Sequence, residues 1–350
     1  MLPRRDAGAG HFLIHSFSRA DRAVSLLKQT AIRLAYALAL LLAVVVLNFT
    51  LIHIAPGDIA DTIAGDMGGA TEEVMARIRA DYGLDKPFIV QLGIYLGNVI
   101  RLDFGYSFFF NTPVTSLIAE RLPATLLLVF TAQIFALVIG VVLGVISARR
   151  PNGLFSYFVT LLALFGFSAP VFWTGIMLLI GLSLMLPLFP VAGMTDVTLL
   201  DAPAWRRYLD VAHHLFLPAL TLASIFLALY SRLCRASMLE ALGADYIRTA
   251  RAKGLSERDT VYRHALKNSL GPVVTLAGLQ FSAVVSGAVL VETVFSWPGL
   301  GTLALQSILA RDTPTILGIL FFSALVVIVG NLLTDLVLRL IDPRIRGGGA

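Results

Sequence analysis

Few of the 350 residues have a type and spacing that could do chemistry. His213 and His214 are the nearest thing to a metal-ligand pair. Read without an acidic or cysteine partner nearby, they fit an interfacial polar pair better than a metal site. No Gly-Lys dipeptide occurs, so the phosphate-cradling loop of an ATPase is absent. A His-Glu-x-x-His metal motif and a Gly-x-Ser-x-Gly nucleophile elbow are absent too. Any pumping driven by this chain therefore needs free energy from another subunit.

The elements that carry these residues must live in lipid. Charged residues make up 14% of the chain and the apolar set 57%, where a soluble domain averages about 25% charged. Mean hydropathy is +0.83. This balance excludes a soluble enzyme and a disordered chain. The formal charge of +5 is the basic excess of loops on one membrane face and does not imply nucleic acid. The single cysteine, Cys234, excludes an internal disulfide framework.

Stretches free of charge mark the spans. They run between Arg33 and Asp58, Arg121 and Arg149, Arg150 and Asp196, Asp210 and Arg232, Lys267 and Glu292, and Asp312 and Asp335. The third is long enough for two helices, and charge asymmetry decides between one and two. With one helix there, nineteen basic residues share one side and eight the other. The positive-inside rule then predicts six spans with both termini cytoplasmic. The organisation reads as a basic cytoplasmic tail over 1–31, a first span over 32–54 kept as an uncleaved anchor, and an extracytoplasmic segment over 55–121. A membrane core over 122–340 and a cytoplasmic tail over 341–350 follow. Within 55–121, Thr71–Ala80 reads as a helix with Thr71 at its N-cap. The stretch from Glu292 to Arg311, broken by Ser296, Trp297, Pro298, Gly299 and Gly301, reads as a loop or re-entrant piece.

Ionisable groups are nearly missing from the predicted spans, which argues against ion coupling. His53 and Glu292 are placed at the outer ends of the first and fifth spans, and Asp335 with Arg339 forms an i,i+4 pair late in the sixth. The largest basic cluster falls in the cytoplasmic segment 232–267. From Met238 onward its pattern predicts a short helix with Leu239, Leu242, Tyr246 and Ala250 on one face and Arg248, Arg251 and Lys253 elsewhere. Gly254 suits the C′ position that ends it, and Ser256 to Asp259 suits a capping box opening a second helix through Val261, Ala265 and Leu266. A solvated basic loop would satisfy the same pattern.

Here the chain resembles the permease subunits of bacterial ABC importers. Asp245-Tyr-Ile-Arg-Thr-Ala-Arg-Ala-Lys-Gly254-Leu255 is similar to their cytoplasmic motif, Glu-Ala-Ala followed after three residues by Gly. Placing Gly254 on that glycine sets Arg248-Thr249-Ala250 on Glu-Ala-Ala, a departure usual in the branch that carries dipeptides, oligopeptides, glutathione or nickel. Further matches are Pro56-Gly57-Asp58, Gly83 to Pro87, Asp103-Phe-Gly-Tyr-Ser107, Ser168-Ala-Pro-Val-Phe-Trp173, Val291 to Gly301, and Asp342-Pro-Arg344.

The resemblance implies an all-α, six-span type I importer permease without an ATPase site of its own. ATP and Mg would sit on two ATP-binding subunits. A second permease and an extracytoplasmic binding protein would complete the assembly in the bacterial inner membrane. Glu240, Asp245, Tyr246, Arg248, Thr249, Ala250, Arg251, Lys253 and Gly254 would couple this chain to the ATPase. Ser168, Pro170, Trp173, Glu292 and Trp297 are candidates for the path or its gate. Pro170, which removes a bond to the carbonyl of Gly166, reads equally as a packing kink. The segment from Glu292 reads equally as an interfacial anchor with Trp297 in the aromatic belt. No metal site, and no cofactor in this chain, is expected.

Overall fold

The computed structural model describes residues 19–54, 71–81, 85–199 and 201–341. Pro56-Gly57-Asp58, Gly83, Leu84 and Asp342-Pro-Arg344 lie outside the described residues, and the Asp335–Arg339 pair lies outside the described side chains. Up to Val44 the first helix belongs to a unit of its own, and residues from Val45 onward form the packed body.

Among the described residues the protein is helical apart from one small hairpin. The order is α1 (Arg19–Ile54), α2 (Glu72–Asp81), α3 (Phe88–Ile100), β1 (Tyr106–Ser107), β2 (Thr112–Pro113), α4 (Val114–Arg149) and α5 (Leu154–Ser168). Then come α6 (Val171–Met185, its last six residues a π turn), α7 (Ala204–Gly243), α8 (Asp245–Ala252) and α9 (Glu257–Leu279, with a π stretch at Thr260–Ala265). The chain ends in α10 (Phe281–Val294), α11 (Leu300–Ala310) and α12 (Thr313–Ile341).

Among the described residues four helices are long and apolar enough to cross a membrane, and there are up to six spans when each bent pair counts once. The pairs are α5 with α6, turned by 111°, and α9 with α10, turned by 55°. The first turn falls at Ala169–Pro170, where the helix stops outright. Pro170 has no N–H to continue it and instead caps α6, its carbonyl accepting from Thr174 N–H at 3.1 Å. The expected kink is therefore a break. Of the segment after Glu292, read as a loop or re-entrant piece, the loop part is short. Only Phe295–Gly299 is irregular, and Leu300–Ala310 is a helix.

The centre of the body is α4 packed along α7. Small residues let the two backbones approach. A β-carbon at Gly144 would stand 2.6 Å from Cys234 Cβ and 2.8 Å from the carbonyl of Ser231. One at Gly140 would stand 3.0 Å from Tyr230 Cβ. Close contact of this kind replaces the hydrophobic drive that is missing between helices in lipid. A polar link reinforces it: Gln133 donates from Nε2 to Tyr230 Oη at 3.3 Å and to the carbonyl of Ala277 at 3.2 Å, joining α4, α7 and α9.

The hairpin explains the Asp103-Phe-Gly-Tyr-Ser107 run. Asp103 Oδ1 accepts from Gly105 N–H at 3.0 Å, and Gly105, just before β1, takes φ +83°, a left-handed backbone that favours glycine. Phe104 is buried against Phe321 and Phe322 of α12, with ring centroids 5.2 and 5.6 Å away. Ser107 donates from Oγ to the buried Asp312 Oδ2 at 2.5 Å, and Thr315 Oγ1 donates to the same oxygen at 2.6 Å. A serine in the hairpin thus locks the start of the last span.

Adding one methyl group separates the packed glycines from the open ones. Gly144→Ala should lower the thermal midpoint of the purified protein, at about 1–3 kcal/mol for overpacking. Gly97→Ala, where nothing lies within 4 Å, should leave it unchanged or raise it. Equal midpoints for the two variants would contradict this packing.

Candidate functional site

The motif segment is built as a helix, a glycine turn and a second helix. α7 runs through Met238 and Glu240 to Gly243, so the short helix starts at Asp245 rather than near Met238. The break at Gly243–Ala244 resets the helical phase and changes the inner face. Ile247 is fully buried and Ala250 nearly so, while Leu239 and Tyr246 are exposed. The expected ridge of Leu239, Leu242, Tyr246 and Ala250 is corrected accordingly. Ile247 joins Met238 and Ala241 of α7 and Val261 and Ala265 of α9 in one apolar cluster.

Everything polar in the motif points outward. Asp245, Arg248, Thr249, Arg251, Lys253 and Gly254 are exposed, as is Glu240 on α7. Asp245 sits in the first turn, where its charge opposes the helix dipole favourably, and Arg248 donates to it at 3.3 Å. Arg251 grips Glu257 with two hydrogen bonds, at 2.9 and 3.2 Å, so that α8 and α9 are clamped across the turn. Gly254 has φ +79°. Its N–H meets the carbonyl of Arg251 at 2.9 Å, and the N–H of Leu255 meets that of Ala250 at 3.3 Å. These two bonds are the Schellman pair that ends a helix at glycine. Ser256 Oγ then accepts from Asp259 N–H at 3.1 Å and donates to Asp259 Oδ2 at 2.6 Å. The cap is real, though the Asp259 carboxylate takes the serine hydroxyl instead of the backbone N–H expected of a capping box.

Glu292 and Trp297 are not at a surface. Both are fully buried, so the aromatic-belt expectation for Trp297 does not hold. Glu292 Oε1 accepts from Thr125 Oγ1 at 2.6 Å, and Oε2 accepts from the N–H groups of Gly301 and Thr302 at 2.6 and 3.2 Å. Thr125 Oγ1 accepts in turn from Leu300 N–H at 2.7 Å. The first N–H groups of α11 are thus capped by side chains from α4 and α10. All three partners donate to the Glu292 side chain. Trp297 closes the arrangement, donating from Nε1 to the carbonyl of Ala124 at 2.9 Å. Gly299 and Gly301 are required by shape. A β-carbon at Gly299 would run into the Glu292 carboxylate, and one at Gly301 would lie 2.5 Å from Val289 Cα.

The remaining candidates stay apart from this hub. Ser168, Pro170 and Trp173 are exposed around the break between α5 and α6, with Trp173 at 42%. His214 does have an acidic partner, four residues back: Asp210 Oδ1 is 3.1 Å from its Nδ1. His213 Nε2 bonds the carbonyl of Leu188 at 2.7 Å. His53 bonds Gln91 Oε1 at 2.8 Å. Among the described residues no group of three or more His, Cys, Asp or Glu could hold a metal ion. Sequence reasoning missed Thr125, Ile247 and Glu257. Only the last, six residues from Arg251, carried a local signal.

Comparison with known proteins agrees with this architecture. Residues 140–347 match the family model described as binding-protein-dependent transport system inner membrane component, and residues 26–129 match its N-terminal companion. The chain is 42% identical to a protein of Brucella abortus (strain 2308) provisionally named a peptide transport system permease, over 90% of this chain and 97% of that one. It is 38% identical to the dipeptide transport system permease protein DppB of Escherichia coli (strain K12), with the same coverage. It is 40% identical to the oligopeptide transport system permease protein AppB of Bacillus subtilis (strain 168), over 87% and 95%.

Removing the Glu292 carboxylate strands two N–H groups and a hydroxyl in the interior. Glu292→Ala should cost about 2–4 kcal/mol, read as a fall in the thermal midpoint, and Thr125→Val should cost about half as much. Glu240→Ala, at an exposed position, serves as the unaffected control. A Glu292→Ala protein as stable as the wild type would refute the capping role.

Proposed function

Since the chain belongs to the inner membrane components of binding-protein-dependent transport systems, we propose that it forms one half of an ATP-driven import path for di- or oligopeptides. The single observation that carries the coupling reading is the exposed, rigidly seated α8. Ile247 and Ala250 are buried against the body, and its charged residues face away from it. A helix held in this way transmits a push as a rigid body rather than absorbing it.

In this reading an ATP-binding subunit cups α8 through Asp245, Tyr246, Arg248, Thr249, Arg251 and Lys253. A second ATP-binding subunit serves a second permease, and an extracytoplasmic binding protein delivers the cargo. Closure of the ATPase pair moves both α8 helices, and the packed α7–α8–α9 cluster carries the movement into the spans. The path opens outward to accept substrate, and hydrolysis returns it. Ser168, Pro170 and Trp173 stand at a break in the helical wall, the place where a path could be shaped. Both termini are cytoplasmic, a reading supported by the nineteen-to-eight distribution of basic residues. The peptide class is supported by the names of the relatives. Glutathione and nickel are the alternative cargoes of the same branch. Glu292 is saturated by donors from its own chain, which argues against its use as a coupling-ion site.

Gly254→Asp separates folding from coupling. Nothing lies within 4 Å of an added β-carbon there, so the new side chain projects into open space. The left-handed backbone costs only about 1–2 kcal/mol. The variant should reach the membrane at near-normal level, yet uptake of a radiolabelled dipeptide should fall to background. Tyr246→Ala with Arg248→Ala should likewise stay folded while the ATP-binding subunit no longer co-purifies. Wild-type uptake in the first variant, or undiminished co-purification in the second, would remove α8 as the coupling element.

A further inference from the structure

A cavity of about 380 Å³ lies between α5 and α7, away from the motif and the Glu292 hub, lined by Val159, Thr160, Ala163, Ser231, Arg232, Arg235, Ala236 and Leu239. It contains two guanidinium groups. Arg235 donates from Nη2 to the carbonyl of Pro151 at 3.2 Å, and its Nε is buried without an acceptor. Among the described residues neither arginine forms an ion pair. The lining segments themselves carry no carboxylate. From residue 121 to 195 there is no Asp or Glu, and on α7 none occurs between Asp210 and Glu240. Arg232 and Arg235 therefore face the cavity with no carboxylate on its lining. A buried N–H without an acceptor costs free energy, and an unpaired cationic pair in a cavity calls for an anion from outside the chain.

The character of the walls selects among anions. Val159, Ala163 and Leu239 make one side apolar, and Thr160 and Ser231 add hydroxyls beside the guanidiniums. Beyond the cavity, α5 exposes large apolar side chains along its length, from Leu154 (89%) through Leu161 (65%) to Phe165 (69%). A ligand whose anionic head meets the arginines and whose hydrocarbon continues along α5 fits both parts. We propose that this cavity holds the phosphate headgroup of an anionic phospholipid, with Arg232 and Arg235 on the phosphate and the acyl chains against α5. Basic pockets between helices near the cytoplasmic face suit such headgroups in charge and depth. Assigning the lipid to the cytoplasmic leaflet rests on the orientation proposed above, whereas headgroup binding itself does not.

Retention of lipid in detergent tests the site independently of orientation and of transport. The chain, purified with its partner subunits, is incubated in mixed micelles of phosphatidylglycerol or phosphatidylcholine with matched acyl chains, and bound lipid is counted by native mass spectrometry. The wild type should retain phosphatidylglycerol and not phosphatidylcholine. Arg232→Gln with Arg235→Gln should weaken phosphatidylglycerol retention about 30-fold, the loss of two cationic contacts. Arg232→Lys with Arg235→Lys should restore most of it. A photo-reactive residue at Leu239, in a chain with both arginines intact, should cross-link to lipid, which guards against a variant that misfolds. The proposal is overturned if the two lipids are retained equally, or if the glutamine variant keeps its phosphatidylglycerol. It is equally overturned if inorganic phosphate alone, at millimolar concentration, displaces the lipid, or if the Leu239 cross-link goes to a partner subunit. Loss of dipeptide uptake with lipid retention intact would bear on the transport reading and leave this site standing.

Discussion

A carboxylate placed among apolar helices must find donors or leave. Glu292 finds three, and they come from parts of the chain far apart in sequence: Thr125 on α4, and Gly301 and Thr302 at the start of α11. In a low-dielectric interior such bonds are strong, and an unmade one is correspondingly costly. The carboxylate therefore fixes several things together. It sets where α10 ends, where α11 begins, and how closely both approach α4. Gly299 and Gly301 are glycine because the carboxylate occupies the space their side chains would need. Trp297 adds a fourth tie to α4 through Ala124.

The rest of the body extends that rigidity toward the opposite end. α4 continues from the hub along α7, brought close by Gly140 and Gly144, and Gln133 bridges from α4 to α7 and α9. α7 ends at Gly243, and α8 turns off it on the buried Ile247 and Ala250. α9 returns under the Arg251–Glu257 clamp and leads into α10, which carries Glu292. One connected set of packed helices thus joins the exposed motif to the polar hub. Displacing α8 would move that set as a body, because close-packed interfaces shift between arrangements rather than deform smoothly.

Much of this is legible in the residues. Six charge-poor stretches correspond to four continuous spans and two bent ones. Gly254 reads as a C′ glycine from local pattern alone, because a short amphipathic helix with basic residues near its end stops there. Ser256 and Asp259 read as a cap for the same local reason. What stays hidden is non-local. Glu292 follows an apolar run and precedes a Trp-Pro-Gly turn, so it looks like the outer end of a span. Its main partner lies 167 residues away. The inner face of the motif helix is misread when the pattern is carried unbroken through Gly243, where the helix breaks and its phase restarts. Pro170 signals a disturbance but not its size, since the turn depends on how α6 packs against α7.

In the proposed mechanism this chain supplies a path and a lever, and its energy enters through α8 from outside. The most direct measurement is dipeptide uptake into proteoliposomes holding the complete purified transporter with its binding protein. One set receives ATP and Mg without any ion gradient, and a second receives an imposed proton or sodium gradient without ATP. The mechanism predicts uptake in the first set and none in the second. Uptake driven by the gradient alone would contradict it.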